Sequence, residues 1–150
     1  MASLSGICVI AAEPDALDRL ARAGIRLECN EPGPGNLWID GGDVLDLARR
    51  ISAALGNTTF AFEGNRTADY YCIVEYERGH AISTLRWLEG PWLVEPAGSR
   101  PWHAALLAPR EHDMFDHVQA FMEPYFDTAG AYAEYKRARS WLSRLLRGYS

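Results

Sequence analysis

The sequence predicts an α+β fold: an antiparallel meander sheet with helices packed against it. The first observation is the stretch 58–102, where apolar and β-branched runs at 58–62, 69–76, 81–88 and 92–95 are separated by turn chemistry. The breaks are Glu63-Gly64-Asn65-Arg66, Glu77-Arg78-Gly79-His80, Glu89-Gly90-Pro91 and Pro96-Ala97-Gly98-Ser99, and links this short join antiparallel neighbours. The second observation is period-two alternation. Tyr70, Cys72, Val74 and Tyr76 share one face of the second run, and Tyr71, Ile73, Glu75 and Glu77 share the other. Both faces are apolar near Tyr71 and Ile73, which predicts a central strand covered on two sides. The third is a set of helical stripes on either side of this stretch.

Residues 4–12 read as a buried strand. Glu13-Pro14-Asp15 then starts a helix, because proline suits the first turn and acids complement the dipole. Leu17, Leu20 and Ala21 form its stripe with Ala16, and Gly24 stops it. Residues 25–29 alternate and predict a half-buried strand. Residues 30–36 hold two prolines and two glycines and predict a loop. Residues 37–39 form a short strand. Asp43 caps a second helix with Asp46 in its first turn; Val44, Leu47, Ala48, Ile51 and Leu55 form its apolar stripe, and Gly56-Asn57 closes it. After the sheet, residues 103–107 predict either an edge strand or one helical turn. Met114, Phe115, Val118, Phe121, Met122 and Tyr125 mark a helix that Pro124 ends or kinks. Tyr132, Tyr135, Ala138, Trp141, Leu142 and Leu145 mark the last one.

A length of 150 residues fits a single α+β domain, residues 1–150, with room for a real core. The apolar run 7–12 falls far short of the ~20 residues of a spanning helix. No Lys or Arg precedes it and Glu13-Pro14-Asp15 follows at once, so it reads as a first strand and not a signal peptide, in a cytoplasmic protein. Cys8, Cys29 and Cys72 are odd in number and lack metal-ligand spacing; Cys8 and Cys72 read as small buried hydrophobes. The net charge of −5 is unevenly spread: the first 135 residues carry 20 acidic and ten basic side chains, and the last fifteen carry five basic and no acidic ones. An acidic body repels nucleic acid and anionic lipid and attracts basic partners.

Motifs for chemistry are sparse. No GxSxG, GxGxxG or P-loop pattern occurs. The densest polar cluster is Glu111-His112-Asp113-Met114-Phe115-Asp116-His117. On a helix His112 meets Asp116 and Asp113 meets His117, which would suit a metal site or an acid–base pair. His112 and His117 are five apart and do not share a face as an HExxH pair does. Asp40, Asp43 and Asp46 form the best acidic patch, which Glu28 and Glu31 could extend. As helix-start acids they cap and complement a dipole; as a surface they would dock a basic protein.

The segment 85–95, Leu-Arg-Trp-Leu-Glu-Gly-Pro-Trp-Leu-Val-Glu, with Gly98-Ser99-Arg100-Pro101-Trp102, resembles a pattern in small uncharacterised bacterial proteins, some of immunity-protein type. His103 stands where that pattern often has Glu. The resemblance covers roughly a third of the chain and implies a scaffold and a partner-binding role, with no catalytic residues to transfer. Within it Trp102 is expected to plug an apolar gap, and Arg86 to lie on an aromatic ring or pair with Glu75.

These readings converge on a non-catalytic protein-binding module. The specific expectation is a cytoplasmic immunity-type protein that occludes a basic toxin domain through Glu28, Glu31, Asp40, Asp43 and Asp46, without metal or cofactor. The alternative is a small metal-dependent hydrolase using His112, Asp116 and His117.

Overall fold

The structure is a computed structural model that describes residues 3–27, 29–32, 37–40, 43–109 and 113–126. In chain order its elements are β1 Ser3–Val9, α1 Ala16–Arg22, β2 Cys29–Pro32, β3 Leu37–Asp40, α2 Val44–Leu55, β4 Thr59–Asn65, β5 Tyr70–Glu77, β6 His80–Leu88, β7 Leu93–Glu95, α3 His103–Leu107 and α4 Met114–Phe126. The strands among them form one antiparallel sheet of seven, in the order β2-β3-β1-β4-β5-β6-β7. The fold is α+β. The meander expected over 58–102 is β4 to β7; the link at Arg78-Gly79 falls where expected, whereas β4 continues through Glu63, Gly64 and Asn65, expected to turn, and its link to β5 spans 66–69. The strand at the start of the chain sits deep in the sheet, between β3 and β4.

The alternation of β5 sorts its side chains onto two cores. Cys72, Val74 and Tyr76 join Ile7, Val9 and Ala61 beneath Ala16 and Leu20 of α1 and Val44, Ala48, Ile51 and Leu55 of α2. Tyr71 and Ile73 join Cys8, Phe60, Phe62 and Leu85 beneath Trp102, Leu106 of α3, and Met114, Val118, Phe121 and Met122 of α4. The sheet is therefore the middle of three layers. Each large apolar side chain so buried contributes roughly 1.5–3 kcal/mol. The two described thiols lie on opposite faces, Cys8 under α3 and α4 and Cys72 under α2, and neither is in a disulfide. Burial pushes the Cys8 thiol up to about 12, which keeps it protonated and inert.

Local signals set the helix ends. The Asp43 carboxylate accepts the Asp46 N–H at 3.3 Å and caps α2. Gly56 ends that helix in the left-handed region at φ 77°, where a side chain would be strained. Asp43→Ala should cost about 0.5–1 kcal/mol, read as a shift in the urea midpoint with an unchanged slope.

Other expectations need correction. Residues 25–27 are not in a strand: the Ile25 N–H is used on the Leu20 carbonyl at 2.9 Å, and its side chain plugs the α1–α2 core. The strand begins instead at Cys29 and runs through Asn30, Glu31 and Pro32, residues assigned above to a loop. Pro32 is tolerated because β2 is at the sheet edge, where a missing N–H costs little. Of the two alternatives for residues 103–107, the structure has the helical one. Helix α4 runs two residues past Pro124, to Phe126. The last expected stripe, 132–145, lies outside the described residues.

Candidate functional site

The most concentrated polar chemistry among the described residues starts from one misplaced-looking carboxylate. Glu75 follows Tyr71 and Ile73 on the face that packs against α3 and α4. It is paired across the ladder with Phe60 on one side and Ser83 on the other. Only 3% of its surface is exposed. A carboxylate cannot stay charged there without partners, and the chain after β7 supplies them. Arg100 grips it with two bonds, Nε to Oε1 at 2.8 Å and Nη2 to Oε2 at 2.7 Å. The Trp102 indole N–H donates to Oε1 at 2.8 Å. Burial raises the affinity of this carboxylate for a proton, but the bonds from Arg100 and Trp102 and the Arg100 charge outweigh it, leaving Glu75 below the usual carboxylate range.

His103 completes the cluster. It is buried, with its ring edge-on to Trp102 at 4.5 Å between centroids. Its Nδ1 accepts the Arg100 backbone N–H at 3.2 Å, and its Nε2 lies 2.8 Å from Ser83 Oγ. A nitrogen that accepts an N–H carries no proton, so the neutral ring holds its proton on Nε2 and donates it to Ser83. Burial pushes the His103 pKa down and the nearby Arg100 charge adds to this, against the attraction of Glu75. Ser, His and Glu thus meet with the tautomer opposite to that of a nucleophile–base pair, where the ring nitrogen facing the hydroxyl must be bare. Ser83 is also buried. The cluster bolts the β7–α3 connection to the sheet.

The sequence signal for this cluster was available. A Glu that alternates onto an otherwise apolar face requires a cation and donors from elsewhere in the chain. The expectation that Arg86 fills this role is incorrect. Arg86 stands opposite Cys72 and Leu93 in register, and its ion pair is with Glu95 at 3.8 Å.

The expected acidic site residues that the structure describes lie in β2, β3 and the start of α2. Glu31 lies in β2 opposite Trp38 of β3, and Asp40 ends β3 opposite Cys29. Asp43 and Asp46 follow at the start of α2, both exposed. Asp40 and Asp43 are three residues apart, so their backbones lie within about 11 Å of each other. Asp43 is occupied as the cap, and Asp46 pairs with Arg49 at 2.8 Å. Glu28 lies outside the described residues.

In the histidine cluster, Asp113 and Asp116 both face Arg66, at 3.4 and 3.3 Å, and the Arg66 guanidinium sits 4.5 Å over the Phe115 ring. His117 Nε2 lies 2.9 Å from the Leu106 carbonyl, to which it donates, tying α4 to α3. His112 lies outside the described residues. No group of three or more possible metal ligands occurs among the described residues. Arg66→Ala should cost about 1 kcal/mol or less, because its partners are exposed, and the loss should shrink in high salt.

A shallow groove of about 470 Å³ opens at the far end of the sheet, lined by Gly56, Thr58, Glu77, Arg78, His80 and Ile82. Glu77 there accepts the Thr58 hydroxyl at 3.4 Å. No helix of the described residues is long and apolar enough to cross a membrane.

Together the fold and these sites define an α+β protein in which, among the described residues, the buried Glu75, Ser83 and His103 are hydrogen-bonded within the chain. Comparison with family models, with curated proteins and with solved structures finds no match.

Proposed function

We propose that this protein is a non-catalytic protein-binding module, a cytoplasmic immunity-type protein that occludes a basic toxin domain. The observation that carries the reading is the division of its carboxylates. Glu75 is buried on Arg100, and Asp113 and Asp116 pair with Arg66 at the surface. Asp43 and Asp46 stay exposed at the start of α2, directly after the β2–β3 pair that bears Glu31 and Asp40. An exposed acidic surface steers a basic partner and raises its association rate, and here Asp46 would have to exchange Arg49 for the partner's cation.

The test is calorimetric titration with the product of the adjacent gene at two salt concentrations. Binding is expected to weaken with salt, and Asp43→Asn with Asp46→Asn together should weaken it about tenfold at low salt and less at high salt. Asn keeps the cap, so the fold remains intact. Absence of heat with every neighbouring product would overturn the reading. So would stoichiometric zinc or manganese in the purified protein that is lost in His117→Ala.

A further inference from the structure

We propose that His103 is a proton-operated latch: a proton added at Nδ1 expels the Arg100 backbone N–H and frees the segment 100–107 from the sheet. The geometry leaves the ring one place to take a proton. Nε2 already carries one and gives it to Ser83. Nδ1 is the acceptor of the Arg100 N–H at 3.2 Å, and protonating it sets two donors against each other.

Glu75 attracts the new charge, but the surroundings offer its N–H no hydrogen bond. From β5, Glu75 faces the ring, but both its oxygens are engaged: Oε1 accepts from Arg100 Nε and Trp102 Nε1, and Oε2 from Arg100 Nη2. From β6, Ser83 presents only a hydroxyl. From the preceding loop, the Arg100 cation repels a charged imidazole. From α4, His117 is bonded to the Leu106 carbonyl. A charged His103 therefore has to leave for water or break the Glu75 clamp.

What it would release is otherwise held by the Glu75 clamp and by buried side chains, not by its own helix. Helix α3 is five residues long, too short to persist unaided. Its anchors are Trp102, His103 and Leu106, all buried. Opening would uncover Phe60 and Leu85 of the sheet beneath it. The sign follows from linkage. His103 binds a proton less readily when latched than when open, so the latched state is fully favoured above the ordinary histidine value of about 6.5 and loses ground as pH falls below it. Glu75 is likewise held below its ordinary value, so further acid removes the second restraint.

Hydrogen exchange of the full chain between pH 7.5 and 5, corrected for the intrinsic rate, tests this. Protection of peptides spanning 100–107 is expected to fall at least tenfold relative to β5. In His103→Asn it should not change with pH, because the Asn Oδ1 accepts the Arg100 N–H and does not titrate. Equal pH dependence in both proteins, or unchanged protection in the native chain, would overturn the proposal. Should His103→Asn not fold, the imidazole ¹⁵N shifts of the native chain decide. An Nε2–H tautomer at neutral pH that protonates as 100–107 opens supports the latch; an Nδ1–H tautomer overturns it.

Discussion

Replacing Gly64 with alanine should destabilise the protein by about 2 kcal/mol, although alanine is the better strand residue. Gly64 pairs across the ladder with Tyr71, whose ring lies over it. A methyl group at position 64 would sit 2.4 Å from Tyr71 Cδ1 and 3.2 Å from the Tyr70 carbonyl oxygen. Tyr71 is 1% exposed and is held among the residues under α3 and α4, so it cannot swing clear. The melting temperature should fall by roughly 4–8 °C for a chain of this size. A double-mutant cycle identifies the cause. In a Tyr71→Ala background, Gly64→Ala should be neutral or slightly stabilising. An equal loss in both backgrounds would place the strain somewhere other than that ring.

Glu75→Ala should cost more, about 3 kcal/mol. It leaves the buried Trp102 indole N–H without its acceptor and opens a void beside Phe60. Glu75→Gln should recover part of the loss, since the amide oxygen still accepts from Trp102. The measurement is denaturant unfolding followed by tryptophan fluorescence and, separately, by far-ultraviolet circular dichroism. Because Glu75 is held below the usual carboxylate range, its charged form adds stability above the ordinary carboxylate value of 4.5, and that contribution fades as pH falls through the lower folded value. Glu75→Gln should therefore flatten the acid limb of the stability profile. An unchanged limb would mean that other carboxylates dominate it.

The difference between these two residues and the rest of the fold shows what a single sequence can carry. The meander, the two-sided burial of β5 and the Asp43 cap are local patterns, written in spacing and turn chemistry. So they could be read before any coordinate. The partners of Glu75 are not local. Arg100 and Trp102 come 25 and 27 residues later, delivered by a connection whose path depends on where β7 ends. The alternation showed that Glu75 faced an apolar layer, but Arg86, nearer in sequence, was an equally reasonable partner until the register placed it opposite Cys72. Similarly, composition marked 30–36 as a loop, and only the edge position of β2 makes Pro32 compatible with a ladder. The acidic residues Glu31, Asp40, Asp43 and Asp46 could be named from sequence, yet the pairing of the strands that bear Glu31 and Asp40, with Cys29 beside Asp40, is long-range information.

The outermost strands carry a consequence for how other chains can approach. One is four residues long and ends in Pro32; the other is three residues long and sits between Pro91 and Pro96. An imino acid offers no amide hydrogen, so a foreign ribbon arriving at either margin finds few donors to stitch to. Edge strands this short disfavour edge-to-edge pairing with a second copy. Any companion has to recognise it by side chains instead of by lengthening its backbone lattice.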